Sequence, residues 1–555
     1  MRSTMTLRFR IKELVVWWIA SSLSVAGGSA ARGPRLVEAV REGDRAAVSL
    51  LLKEAPAEVN APQADGATAL AWAVHKDDLE TASLLIDAGA DVNAGNIYGV
   101  TPLSLACTNR NTLLVEMLLK AGADPNSPQV TGETPLMSCV RTGSTAGAKA
   151  LLLYGADANA KDNERGQTAL MWAAEGRPAI VQMLVEHGAS LNARSARLAL
   201  YTPKVPNPAQ VSPTGIQVHQ GFRKTVYFPK FKGGFTPLMF AAQYGDSESV
   251  RVLLAAGAEV DEGTSEGGTP LVVASVNGRE NAALLLLEKG ANPNKTDCYG
   301  MTALHWALQD GVTAISGGPT VTDRFWLHPK MPALVKALLA AGANPNARIA
   351  KDFMTYHVHR FSRGTMLEPP QVGQAGATPF LLAAAAGDAA TMRVLLKAGA
   401  DPKIATFEGT TPLMVAAGTG VQLETRGAKD DGIPKERRME ALEAVRLAWQ
   451  SGLDVNAVSE SGRTALHGAS FYGLAEVIEF LAENGANLEA KDMYGQSAVS
   501  IALADPDGFI YRNLDDKGQD STFHRRATPD MKTVELLLKL GAAPYKLVGR
   551  DLRGY

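Results

Sequence analysis

The stretch YGVTPLSLACTNRNTLLVEMLLKAGADPNS, residues 98–127, decides how the rest of the chain is read. Thr101 suits a helix N-cap, and Pro102 suits the first helical position, where a missing N–H costs nothing. Apolar residues recur at helical spacing through LSLA, and LLVEMLL forms a second short helix. Gly122 follows that helix where a left-handed residue is needed, and DPN makes an extended turn into what comes next. A helix–turn–helix of this size has an apolar face that it cannot bury alone, so the chain must supply the cover elsewhere.

It does so by repetition. DGATALAWAVHKDDLETASLLIDAGADVNA (65–94), TGETPLMSCVRTGSTAGAKALLLYGADANA (131–160), GGFTPLMFAAQYGDSESVRVLLAAGAEVD (233–261) and EGGTPLVVASVNGRENAALLLLEKGANPNK (266–295) superpose on it, as does RGQTALMWAAEGRPAIVQMLVEHGASLNA (165–193). Later copies begin at Tyr299, Ala375, Glu408, Ser461 and Tyr494, and a partial copy at Leu36–Asn60 precedes them. Thr68, Thr101 and Thr134 are 33 residues apart, as are Thr236, Thr269 and Thr302. The shared phrase, G-x-T-P-L-H-x-A-A through L-L-x-x-G-A-D-x-N-A, resembles the ankyrin-repeat family. The resemblance covers most of the chain and implies an all-α solenoid of about twelve repeats with β-hairpin loops, stacked in a curved array.

The 555 residues are too many for one compact domain, which agrees with an array. Apolar residues make up 46% and charged ones 20%, ordinary for a folded protein, and a net charge of −2 gives no global attraction to nucleic acid. Cys107, Cys139 and Cys298 have no zinc or CxxC spacing, and so sparse a set argues against a disulfide framework. The start, MRSTMTLRFRIKELVVWWIASSLSVAGGSAARG, has a basic beginning and an uncharged run that turns small toward GGSAA. It reads as a cleavable export signal over 1–31, with a retained membrane anchor as the alternative. Export to the periplasm or exterior is expected, and a cytoplasmic protein if this segment is no signal.

Trp72, Trp172 and Trp306 occupy one repeat slot, shared with Leu105 and Phe240, which reads as core between inner helices. His305 and His467 stand in TALH, where the resemblance implies that the imidazole braces the helix start. No GxSxG, HExxH, P-loop, GxGxxG or EF-hand motif occurs, and most carboxylates belong to the repeat's own turns. No catalytic residue, metal site or cofactor is expected.

Five segments break the period, dividing the chain into repeats over 32–195, 233–349 and 375–555. The segment 196–232 carries prolines 203, 206, 208, 213 and 229, and basic residues interleaved with aromatics in RKTVYFPKFK, with no acidic residue. The segment 350–374 contains KDFMTYHVHRFSRG, in which His357 and His359 share one face of an extended strand but have no third ligand nearby. Both fall between copies and read as hairpins at the hairpin-tip edge. The segments 312–329, 421–437 and 505–528 fall between the two helices of a copy. Long loops of this kind are usually functional or disordered.

The reading is therefore a protein–protein interaction scaffold, most simply a monomer, with an enzyme or glycan-processing component built from the insertions as the alternative. A membrane-anchored scaffold is the further alternative. The family resemblance implies contacts at hairpin tips and inner-helix ends: Tyr98, Asn109, Arg141, Tyr244, Asn277, Tyr299, Phe471, Tyr472 and Tyr494. The insertions add Arg223, Lys224, Tyr227 and Phe228, and Tyr356, His357, His359, Arg360 and Phe361. Proteins with an acidic surface are the expected partners; nucleic acid is not, and membrane contact is expected only through an uncleaved N-terminus.

Overall fold

The computed structural model describes residues 34–196, 233–265, 267–315, 330–351, 374–418, 433–493, 495–503 and 530–544. Contacts divide the chain into two compact units, Met1–Glu164 and Arg165–Tyr555. Among the described residues the regular structure is helical, and extended pairing is limited to isolated bridges such as Thr296–Thr302.

The first unit is a stack of four helix pairs. They are α1 (Arg35–Glu42) with α2 (Arg45–Glu54), α3 (Ala69–His75) with α4 (Leu79–Asp87), α5 (Pro102–Asn109) with α6 (Thr112–Lys120), and α7 (Pro135–Thr142) with α8 (Thr145–Leu153). The N-terminal copy, expected to be partial, thus forms a complete pair. Helices this short are marginal in water and depend on caps and packing. Thr68, Thr101 and Thr134 cap the inner helices α3, α5 and α7, each side-chain oxygen accepting the third N–H of its helix at 3.3–3.4 Å. Asp44, Asp78 and Asn111 cap the outer helices α2, α4 and α6. Leu70, Leu85, Leu103, Leu114, Leu118, Leu136 and Leu151 are at most 1% exposed between the layers; each contributes about 2 kcal/mol relative to exposure.

Polar bonds set the register between repeats. Asn60, Asn93 and Asn126 each donate from Nδ2 to the carbonyl of Gly89, Gly122 or Gly155 in the next repeat. Each also accepts, through Oδ1, the N–H of Asp91, Asp124 or Asp157, all at 2.7 Å. Further along the same loops the chain closes into tight turns, as where Asn96 N–H donates to Val100 O at 3.2 Å and Gly99 N–H to Asn96 O at 2.8 Å, and each tip makes a backbone bond to its neighbour. Ile97 donates to Asp65 O and Val130 to Tyr98 O, both at 2.9 Å. Gly132 (φ 80°) admits this approach; a Cβ there would lie 2.6 Å from Asn163 N.

A disulfide joins Cys107 on α5 to Cys139 on α7, with Cα atoms 4.5 Å apart. This corrects the expectation drawn from the cysteine count. The pairing comes from stacking consecutive inner helices: the cysteines are 32 residues apart, close to one repeat, which puts them at facing positions of neighbouring copies.

The second unit repeats the pattern with interruptions. Inner helices α9 (Ala169–Ala173), α11 (Pro237–Tyr244) and α13 (Pro270–Val276) pair with α10 (Pro178–Glu186), α12 (Ser247–Ala255) and α14 (Glu280–Glu288). α15 (Ala303–Ala307) is followed by an additional helix, α16 (Gln309–Ile315), and then by α17 (Pro332–Ala340). α18 (Pro379–Ala385) pairs with α19 (Ala389–Lys397), and α20 (Pro412–Ala416) with α21 (Lys435–Gln450). α22 (Ala465–Phe471) with α23 (Ala475–Glu483), and α24 (Ala498–Ala502) with α25 (Met531–Lys539), complete it. The segments expected to break the period at 312–329 and 421–437 therefore begin inside α16 and end inside α21. The asparagine bridges continue across the insertions: Asn294 reaches Gly342 O, 48 residues on, and Asn346 reaches Gly399 O, 53 residues on. Among the described residues no helix is long and apolar enough to cross a membrane.

His305 and His467 brace helix starts as expected. The Thr302 N–H donates to His305 Nδ1 at 3.1 Å, and Nε2 lies 3.1 Å from Ala347 O. His467 repeats this with Thr464 and Gln496. Burial, opposed by the carbonyl bonds, lowers the His305 pKa to about 4. The shared tryptophan slot is core for Trp306 and Phe240, 2% and 7% exposed, whereas Trp72 and Trp172 are only half-buried. Trp72 and Trp306 donate their indole N–H to Gln63 and Asp297 at 3.2 and 3.0 Å.

Two measurements test this account. Reducing Cys107–Cys139, or replacing both residues by Ala, is expected to lower the first unit's stability by about 3–4 kcal/mol through loop entropy; unchanged thermal unfolding with and without dithiothreitol contradicts it. His305 has its folded pKa below the unfolded 6.5, so the unfolded chain binds the extra proton. Its contribution is whole above pH 6.5 and is lost as pH falls toward 4, on the order of 3 kcal/mol. His305→Gln, which keeps a capping side chain, should flatten urea-midpoint loss between pH 6.5 and 4.5 relative to the parent; parallel profiles refute the assignment.

Candidate functional site

Two of the interruptions leave the second unit through the same kind of neck. At the first, Ser195 N–H donates to Phe235 O at 3.0 Å and Gly234 N–H returns to Ser195 O at 3.1 Å. At the second, Ile349 N–H donates to Ala377 O at 3.0 Å and Gly376 N–H returns to Ile349 O at 2.8 Å. The chain on either side of each insertion is therefore held root to root. The arginine just before each neck fastens it to the following turn. Arg194 donates to Gly234 O and Gly263 O at 2.9 and 3.1 Å and pairs with Glu262. Arg348 donates to Gly376 O and Ala405 O at 3.2 and 2.8 Å, and its guanidinium lies 4.3 Å over the Phe407 ring. The sequence carried a signal for this, an Asn-Ala-Arg triplet ending at Arg194 and again at Arg348. Arg223, Lys224, Tyr227 and Phe228, Tyr356, His357, His359, Arg360 and Phe361, and Tyr494 lie outside the described residues.

The remaining expected contacts divide by what their side chains already do. Asn109 donates to Val74 O and His75 O at 2.7 and 3.2 Å, closing the end of the preceding inner helix. Asn277 bonds back to Val273 O in its own helix at 2.8 Å. Both are structural braces. Arg141 is exposed and ion-paired with Glu133 at 3.0 Å. Tyr98 is 46% exposed at a hairpin tip between Ile97, at 63%, and Val130, at 68%, on the next tip. Tyr299 is half-buried under Lys351, whose Nζ is 5.5 Å from the ring. Phe471 and Tyr472 stack edge to face at 4.9 Å.

The most developed of these positions is around Tyr244 at the end of α11. Tyr244 is 47% exposed and hydrogen-bonds Glu175, which follows α9. Burial raises the Glu175 pKa, opposed by that bond and by Arg177 and Arg165. Burial and the Glu175 charge push the Tyr244 pKa up to about 12. Arg177 donates to Trp172 O at 3.0 Å, and the Trp172 indole nitrogen is buried without a partner among the described residues. An aromatic, a carboxylate and a guanidinium thus meet at the inner-helix ends, the composition of an interface anchor.

Among the described residues no arrangement of comparable definition faces a small substrate. A cavity of about 70 Å³ between α15, α16, α17 and α18, lined by Leu308, Met331, Val335 and Leu382 with Lys330 and Asp388 at its mouth, is far below the roughly 300 Å³ lower end of ligand sites. Among the described residues no three His, Cys, Asp or Glu side chains converge as metal ligands.

Comparison with known proteins follows the same lines. The family described as "Ankyrin repeats (3 copies)" matches residues 36–129, 123–195 and 238–316, and the one described as "Ankyrin repeat" matches 375–407 and 461–493. The chain is 28% identical over 308 residues to the E3 ubiquitin-protein ligase KEG of Arabidopsis thaliana, spanning 51% of this chain and 17% of that one. It is 30% identical over 186 residues to the human SH3 and multiple ankyrin repeat domains protein 2, covering 33% of this chain and 10% of the relative. It is 32% identical over 186 residues to the mouse B-cell lymphoma 3 protein homolog, covering 31% and 37%. The chain thus spans well under half the length of these relatives. With stacked helix pairs, asparagine bridges and family matches over more than half of its length, the chain belongs to the ankyrin-repeat family, whose repeats serve protein–protein interaction.

Proposed function

We propose that the chain is a non-catalytic recognition scaffold whose second unit presents the insertions 197–232 and 352–373 to an acidic surface on a partner protein. The observation that carries this reading is the pair of clamped necks, with Arg194 and Arg348 fixing where each insertion begins and ends. The backbone bonds of each neck are the ones that also close uninterrupted loops, such as Asn96 N–H to Val100 O and Gly99 N–H to Asn96 O, so each insertion leaves a loop that stays closed, and the arginine adds the fastening to the following turn. The basic and aromatic residues of RKTVYFPKFK suit an anionic protein face, and the Tyr244–Glu175 site supplies a preformed anchor at the other end of α11 from the first neck. A rigid stack loses little conformational entropy on binding.

The scaffold acts outside the cytoplasm. The signal-like start supports this, and so does the Cys107–Cys139 bond, since disulfides persist in oxidising compartments.

The test is partner capture by the intact chain beside variants spliced from Ala196 to Gly233 and from Lys351 to Gln374. Both variants are expected to unfold within a few degrees of the parent, because the neck bonds remain, and to lose the partner. Capture by both variants at parental strength overturns the role of the insertions. Tyr244→Ala is expected to weaken a partner so identified by about 2 kcal/mol, roughly thirtyfold; an unchanged titration removes this anchor from the interface.

A further inference from the structure

Where the turn between the two helices of a repeat is fully described, it closes through a left-handed residue, and glycine fills that place at Gly43 and Gly143 in the first unit and at Gly245, Gly278, Gly387 and Gly473 in the second. Two consecutive repeats depart from the rule. Asp77 (φ 63°) and Arg110 (φ 62°) are the only residues other than glycine with positive φ among those described. A side chain in this conformation is strained, and such strain concentrates where a side chain is needed for function.

The two side chains differ in what they already hold. Asp77 Oδ1 accepts from Asn111 Nδ2 at 2.7 Å, so one of its oxygens is fixed in place. Arg110 is exposed, and its guanidinium makes no ion pair or hydrogen bond among the described residues. The other cations of this edge are engaged. Arg41 stands over Trp72 at 5.2 Å, and Arg45 pairs with Asp78 at 2.9 Å. Lys76 donates to Arg41 O at 2.6 Å, and Arg141 pairs with Glu133. Arginine is therefore strained at this place and leaves its five donors unspent.

The platform beneath it is fixed. Arg110 N–H donates to Cys107 O at 3.1 Å, and Cys107 is tied to the next inner helix by the disulfide. The same carbonyl accepts Thr142 Oγ1 at 2.9 Å.

We propose that Arg110 and Asp77 form a second recognition site, on the helix-turn edge of the first unit, that takes an acidic side chain of a partner protein. The partner carboxylate sits on the Arg110 guanidinium, a bidentate pairing that lysine cannot reproduce. Asp77 lies one repeat away, about 10 Å at the spacing of packed helices, so it disfavours a second acid and favours a base. An extended peptide places such a pair about three residues apart. The site rests on the chain being a protein-recognition scaffold, but it lies in a different unit from the clamped insertions.

The test uses the full chain to select from a random dodecapeptide display library, beside Arg110→Gly, Arg110→Lys and Asp77→Gly. The parent is expected to enrich Asp or Glu with Lys or Arg about three residues away. Arg110→Gly should lose the acid enrichment and fall at least tenfold in affinity for the selected peptides, while its thermal midpoint stays equal or rises because strain is released. Arg110→Lys should recover only part of the binding, and Asp77→Gly should lose the basic preference alone. Acid enrichment that survives in Arg110→Gly, or parental peptides without acids, overturns the site and leaves the scaffold reading standing. No enrichment of any peptide overturns both. If Arg110→Gly unfolds early, Arg110→Gln supplies the same readout with the backbone left as it is.

Discussion

One amide side chain per repeat joins most of these helix pairs to the next. An asparagine at the end of an outer helix's loop donates to the next repeat's glycine carbonyl and accepts the N–H two residues beyond it. These groups belong to helix ends that would otherwise lack partners. The bond pair therefore fixes register while the leucines supply the burial. Because the bridge requires only that two loops be adjacent, the chain may depart between them. Asn294–Gly342 and Asn346–Gly399 keep the geometry across 48 and 53 residues.

That tolerance explains how much of the fold was legible in the sequence. Thr-Pro at helix starts, glycine at helix ends and the 33-residue period are local signals, and each produced the expected cap, turn or pair. What was missed arises between repeats. Cys107 and Cys139, 32 residues apart, become a bond when α5 lies on α7. The break in the period expected from 312 concealed α16, which carries the helix on to Ile315 with Val312 1% exposed.

The candidate contacts show the same division. Tyr98 and Tyr244, singled out for aromatic character at the repeat edges, both stand near half exposed. Asn109 and Asn277 instead hold helix carbonyls with their amides. An asparagine at an inner-helix end reads equally well as a contact or as a cap, and only the carbonyl beside it decides. Arg110 was passed over because a template treats its place as a glycine turn; the departure from glycine is itself the signal, once backbone angles are known.

The disulfide has a mechanical meaning that differs from its stabilising one. In a stack held by neighbour contacts, tension applied along the unit is borne by each repeat in series, and the weakest pair opens first. Cys107–Cys139 adds a covalent path in parallel with the peptide backbone between α5 and α7. Force entering at one inner helix leaves by the next without loading α6 or the turn that carries Val130. That segment is thereby held at constant extension under strain, and the exposed tip on it keeps its shape while repeats on either side yield.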